Sequence, residues 1–238
     1  MLPYIAEFIG TAMLILLGDG VVANVLLDKS GMKGGGSVQI TIAWGLAVLL
    51  PVFTFGAVSG AHLNPAVSIG LAAIGVFSWD MVPGYIVAQM LGAMLGALLM
   101  YIQFKCQFDA TEDAGLKRAC FCTAPAVPHT FHNFYSEFIG TFMLVFAILG
   151  VGKVPGASAP GIGNLYVFGI IVSIGMSLGG VTGYAINPAR DLGPRIMYAL
   201  IPMKNKTTAN WGYSWIPVVA PILGGVVAAI VFNLIPWA

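Results

Sequence analysis

Two Asn-Pro-Ala triplets, Asn64-Pro65-Ala66 and Asn187-Pro188-Ala189, stand 123 residues apart, and only the second is followed by a cation, Arg190. Asn is among the strongest helix N-caps and Pro is favoured at the first helical position, so each triplet reads as a helix start. With its carboxamide oxygen held by the local backbone, each Asn keeps an NH₂ donor at the positive end of a helix. Two such donors brought together orient the oxygens of a passing water or alcohol and oppose cations and protons. A single triplet is an ordinary helix cap. Two copies, each opening a short apolar segment inside a matched repeat, favour the pore reading.

Those helices need a solvent, and composition names it. The 238 residues are 58% hydrophobic and carry only 10 basic and 9 acidic side chains. Charge is 8% of the chain, against roughly 25% in an ordinary soluble domain. A soluble enzyme and a disordered chain are both excluded on this count. A net charge of +1 gives no basic field for nucleic acid. The expected surroundings are a lipid bilayer.

Apolar runs between breaks predict six spanning helices, at Pro3–Leu27, Val38–Phe55, Met81–Phe104, Phe134–Gly152, Asn164–Gly179 and Tyr213–Trp237. The first lacks a basic leader and exceeds a signal-peptide core, so it reads as a retained helix. Ala66–Phe77 and Ala189–Ile201 are about half as long, the length of re-entrant segments. Non-helical backbone at membrane depth survives only where protein buries it or where it lines a watery cavity, so two half-crossings point to a pore.

The chain also resembles itself. Ala6-Glu7-Phe8-Ile9-Gly10-Thr11-Ala12-Met13-Leu14 matches Ser136-Glu137-Phe138-Ile139-Gly140-Thr141-Phe142-Met143-Leu144 at seven of nine positions, and the two Asn-Pro-Ala neighbourhoods recur in the same order. Repeat one is expected over 1–104, a connecting loop over 105–133 and repeat two over 134–238, together forming one channel domain. Three full spans per repeat is an odd number, so the second repeat enters the bilayer inverted. The two half-helices then meet, N-terminus to N-terminus, near the midplane.

Ser59-Gly60-Ala61-His62-Leu63-Asn64-Pro65-Ala66-Val67 and Gly183-Tyr184-Ala185-Ile186-Asn187-Pro188-Ala189-Arg190-Asp191 resemble the two signature loops of the aquaporin superfamily. Within it, the chain is similar to the bacterial glycerol facilitators of the aquaglyceroporin branch. The resemblance implies an all-α membrane protein: a right-handed bundle of six transmembrane helices plus two re-entrant half-helices in an inverted repeat. It also implies a homotetramer with one pore per subunit, passing glycerol, water and other small neutral solutes. The family's four-residue filter falls by spacing on Trp44, Gly175, Tyr184 and Arg190. Water-selective members usually carry His where Gly175 stands, so its missing side chain is expected to widen the hole. Glycerol-type members generally have Phe at Tyr184. Taken without the spacing, Trp44 and Tyr184 read as packing or lipid-facing aromatics.

Arg190 opposes the helix dipole in a first turn, an unfavourable place for a structural cation, and offers donors to solute hydroxyls. Its competing reading is an interfacial, snorkelling Arg. Asp191 and Arg195 read as structural support. Glu7 and Glu137 occupy equivalent places in the repeats, and the resemblance suggests that they brace the Asn-Pro-Ala loops by accepting backbone N–H bonds; the rival is a proton relay. Gly60, Ala61, His62 and Leu63 are expected to line the pore, with a pH gate at His62 as a further reading. Asp19, about 24 Å of helix rise beyond Pro3, is placed at a vestibule or interface. Gly92 and Gly96 form a GxxxG helix-packing motif. Cys120, Cys122, His129 and His132 match no strong zinc spacing, and no cofactor is called for.

The resemblance puts both termini in the cytoplasm and the first, third and fifth loops outside. Those loops carry Lys29, Lys33, Lys105, Lys117, Arg118, Lys204 and Lys206, a charge bias that by itself predicts the opposite orientation. The alternative function is a proton- or ion-coupled secondary transporter of a small polyol or organic acid. An intramembrane enzyme lacks any nucleophile–base pair or metal cluster in the spans.

Overall fold

The computed structural model describes residues 1–157 and 161–237, and among these all regular structure is helical. Ten helices follow in order: α1 (Leu2–Leu26), α2 (Gly36–Ser59), α3 (Pro65–Ala73), α4 (Val82–Gln103), α5 (Lys105–Ala110), α6 (Ala114–Ala119), α7 (Thr130–Val151), α8 (Ile162–Leu178), α9 (Pro188–Leu200) and α10 (Ile216–Leu234). Helices α1, α2, α4, α7 and α10 are long and apolar enough to cross a bilayer, and α8, at 17 residues, lies at the short end of the spanning range. These are the six expected spans, and α3 and α9 are the two half-helices.

Boundaries shift for identifiable reasons. Helix α2 runs through Pro51 to Ser59 and stops at Gly60, whose φ of 79° only glycine adopts without strain. Helix α7 begins at Thr130, four residues before the expected start, because His129 caps it by accepting from His132 N. Helix α3 ends at Ala73 rather than Phe77, with the chain turning at Gly75 (φ 74°). The connecting loop is not structureless: it holds α5 and α6, the latter capped by Asp113 accepting from the N–H groups of Gly115 and Leu116.

Glycines set how closely the helices approach. A β-carbon at Gly92 would strike the Phe8 carbonyl of α1, and one at Gly224 would strike the Phe138 carbonyl of α7. Phe8 and Phe138 are equivalent residues of the two repeats, so α1–α4 and α7–α10 are parallel constructions. The half-helices pack across the repeats. Helix α3 lies on α10, where Gly70 and Gly225 meet backbone to backbone, and α9 lies on α4, where Gly193 faces Ala93. Each repeat therefore supplies the half-helix that fills the other.

Gly92→Ala and Gly224→Ala should each destabilise the fold by roughly 1–3 kcal/mol through overpacking. Gly169→Ala, where a β-carbon meets nothing within 4 Å, should leave stability unchanged. Thermal unfolding in detergent measures all three; equal midpoints would show that close approach at Gly92 and Gly224 does not hold the helices.

Candidate functional site

Between Ser59 and Asn64, and again between Thr182 and Asn187, the chain leaves helical geometry deep inside the molecule. Its non-glycine residues Ala61, Leu63, Tyr184 and Ile186 adopt φ of 46°, 52°, 39° and 42°. Left-handed backbone at such residues costs on the order of 1–3 kcal/mol each and persists only where the surroundings dictate it. Two fully buried carboxylates dictate it here. Glu7 accepts from Ser59 Oγ (2.7 Å), His62 N (2.9 Å), Leu63 N (2.7 Å) and Gln89 Nε2 (2.8 Å). Glu137 accepts from Thr182 Oγ1 (2.7 Å), Ala185 N (3.0 Å) and Ile186 N (2.8 Å).

In a trans peptide N–H and C=O point in opposite directions. With the amides of His62 and Leu63 turned onto Glu7, the carbonyls of Ala61 and His62 turn away from it; Glu137 does the same to those of Tyr184 and Ala185. Ala61, His62, Leu63, Tyr184 and Ala185 all line one cavity of about 320 Å³. Much of the remaining lining is aliphatic, with Leu14, Val48, Val52, Leu144 and Ile171 among its residues.

The two Asn side chains end the two segments. Asn64 caps α3 by accepting from Ala66 N (2.9 Å), and Asn187 caps α9 by accepting from Ala189 N (3.0 Å) and Arg190 N (3.2 Å). Each NH₂ is also engaged. Asn64 Nδ2 donates to Ile186 O and Asn187 Nδ2 to Leu63 O, both at 2.8 Å. One amide hydrogen of each Asn thus ties it to the opposite repeat, leaving the second for the cavity that both residues line.

Trp44, Tyr184 and Arg190 gather along the same cavity. The Trp44 ring sits on Gly18 of α1, where a β-carbon would overlap it. The Arg190 guanidinium covers part of the ring, its carbon 4.1 Å from the centroid. Gly175 lies behind this group: a β-carbon there would be 2.6 Å from Thr41 Cγ2 and 2.9 Å from Tyr184 Cζ. The absent side chain does not simply widen the hole; the Tyr184 ring and Thr41 occupy its place.

One other expectation is corrected. Asp19 is not an interface residue: it is fully buried and pairs with Arg190, Oδ1 to Nη1 at 3.1 Å. Helix rise measures distance along α1 and says nothing about which way a side chain faces. His62 contributes to the cavity, yet its ring is wedged against Phe77 and Tyr85, with Nδ1 3.0 Å from Ser68 Oγ. Around the site, Arg195 Nη2 and Nε both reach Asp191 Oδ1 (2.7 and 2.8 Å) in a buried pair, and Asp191 Oδ2 accepts from Thr123 N and Oγ1, tying α9 to the connecting loop. Ser59, Gln89, Thr182 and Gly18 were not singled out from sequence. Ser59 and Thr182 stand at equivalent places in the repeat match, which was a usable signal.

Three of the four side chains Cys120, Cys122, His129 and His132 make other contacts. His129 caps α7, and the buried thiols of Cys120 and Cys122 face the Leu116 and Arg118 carbonyls. Burial pushes the Cys122 thiol up to about 12 and raises Cys120 as well, so both stay protonated at neutral pH.

Residues 2–232 match the family model described as "Major intrinsic protein". The chain is 50% identical over 233 residues to a probable glycerol uptake facilitator protein of Thermotoga maritima, covering 98% of this chain and 99% of that one. It is 48% identical over 233 residues to the glycerol uptake facilitator protein of Bacillus subtilis, with 98% and 84% covered. Among solved structures, the aquaglyceroporin from Plasmodium falciparum superposes with a TM-score of 0.87 at 34% identity, covering 98% of this chain and 95% of that one. The chain is a multi-pass membrane protein.

Glu137→Gln places an NH₂ against donors that need an acceptor, and should destabilise the protein by roughly 1–3 kcal/mol. Water flux in proteoliposomes should fall with it. A stable variant with full water flux would show that Glu137 does not shape the loop.

Proposed function

The chain belongs to the major intrinsic protein family, and from that premise we propose that it is a passive channel for glycerol and water, carrying other small neutral solutes and excluding ions and protons. It transforms nothing chemically. The observation that carries this reading is the mixed lining of the cavity: Ala61, His62, Tyr184 and Ala185, whose carbonyls turn away from the two carboxylates, with Asn64, Asn187 and Arg190, and aliphatic side chains over much of the rest. Glycerol has a hydroxylated edge and a CH edge, and this lining matches both. Each hydroxyl can donate to a carbonyl and accept from Asn or Arg190 in turn, replacing the water it leaves behind.

The ends of α3 and α9 face each other through the Asn64 and Asn187 cross-bonds, which places two positive dipole ends at one level. A cation there meets donors and no carboxylate. Trp44, Gly175, Tyr184 and Arg190 are read as the filter, with Gly175 acting by making room for the Tyr184 ring. Glu7 and Glu137 are read as braces rather than proton carriers, since all their oxygens accept bonds that hold the backbone. The proposed assembly is a homotetramer, consistent with the family resemblance.

Orientation follows the resemblance, with termini inside. Several of the loop cations that make up the opposing charge bias are engaged within the fold. Lys33 pairs with Asp28 and Lys105 with Asp109, buried Lys117 donates to Lys204 O, and Lys206 caps the carbonyls of Tyr198, Ala199 and Ile201 at the end of α9.

Proteoliposomes should shrink and reswell in glycerol without a proton gradient; uptake that requires the gradient would establish the transporter instead. Gly175→His must push the Tyr184 ring into the pore, so glycerol flux should fall at least about tenfold, with water flux reduced less. Unchanged glycerol flux in that variant would remove Gly175 and Tyr184 from the filter. Cys106 is exposed on α5 while Cys120 and Cys122 are buried. A membrane-impermeant maleimide should therefore label Cys106 in intact cells, and labelling only after lysis would reverse the orientation.

A further inference from the structure

We propose that Asp19 is a specificity-determining residue of this pore: by pairing with Arg190 it keeps the filter neutral overall, so that uncharged solutes pass and small anions are not collected there. This rests on the channel reading above.

Asp19 lies between Gly18 and Gly20 on α1 with no exposed surface. Its Oδ1 is 3.1 Å from Arg190 Nη1, while its Oδ2 has no hydrogen-bond partner among the described residues. A buried carboxylate with one oxygen unserved is destabilising unless a nearby cation compensates it, and Arg190 is the one it pairs with. This is therefore a poor arrangement for stability alone. Its effect falls on Arg190, which also points Nη1 toward Phe121 O (3.5 Å) and lies on the Trp44 ring. Residues 18 and 19 act on the filter together: Gly18 makes room for the Trp44 ring, and Asp19 holds the guanidinium over it.

The neighbouring charges do not take Asp19's place. Asp191, next in the chain to Arg190, is committed to Arg195 and Thr123. The site thus contains two closed pairs, Asp191–Arg195 and Asp19–Arg190, whose formal charges cancel. An unpaired guanidinium in a narrow, low-dielectric passage attracts anions far more strongly than it does in water. Paired at 3.1 Å, it presents a dipole whose attraction fades quickly with distance, while its remaining N–H groups still serve neutral hydroxyls at contact range.

The test measures glycerol efflux from proteoliposomes at neutral pH with nitrate replacing gluconate at constant ionic strength, and urea as an uncharged additive of similar size. The unmodified channel should not respond to nitrate. In Asp19→Asn and Asp19→Ser, the same nitrate concentrations should lower glycerol flux at least about tenfold. Urea should act equally on all. Water flux in the same vesicles reports folded pores, a readout that a purely structural defect would lower without creating nitrate sensitivity. Adding Arg190→Ala to Asp19→Asn should abolish the sensitivity. The proposal is overturned if a water-conducting Asp19 variant ignores nitrate, if sensitivity persists without Arg190, or if nitrate already inhibits the parent, an outcome that needs no variant to fold. A parent that passes no glycerol would instead overturn the channel reading.

Discussion

A polypeptide that leaves helical geometry inside a bilayer must find partners within the protein for every exposed N–H and C=O. Glu7 and Glu137 meet that requirement. Each reaches from a spanning helix into a broken segment and takes two consecutive amides, and that single act determines where the opposing carbonyls point. The strained φ values at Ala61, Leu63, Tyr184 and Ile186 follow from it, as does the placement of the Asn caps directly after the break. A water-exposed loop could shed this strain by relaxing. Here relaxation would strand amides in an apolar interior, so the strained form is the stable one.

The same braces position two helix ends against each other, an arrangement that dipole repulsion alone opposes. The cross-bonds from Asn64 to Ile186 O and from Asn187 to Leu63 O hold them together. Each end is held by a carbonyl from the other repeat, so neither pore half is complete by itself. The exchange of α3 onto α10 and α9 onto α4 repeats this dependence at the level of packing.

Sequence reading went furthest where meaning is local or duplicated. Asn-Pro-Ala is a helix start whatever surrounds it, and a second copy shows that it is more than a cap. Glu7 and Glu137 stood out as acids in apolar runs at matching places. What was not legible depends on contacts between distant residues. Asp19 and Arg190 are 171 positions apart, and no periodicity links them. The consequence of Gly175 depended on whether Tyr184 fills the vacated space, which only the fold decides. The short helices α5 and α6 escaped because each is too brief to show a period, although Asp113 offered a capping signal.

The reciprocal Asn bonds also bear on how the protein is made. Ribosomes deliver repeat one first, and at that stage Asn64 lacks Ile186, α3 lacks α10, and the strained segment after Ser59 faces an empty half-pore. The early membrane-inserted chain is therefore an unfinished surface awaiting its own C-terminal half, held meanwhile by Glu7, Gln89 and the α1–α4 glycine seam. Completing the pore therefore requires two halves of one chain to dock on each other.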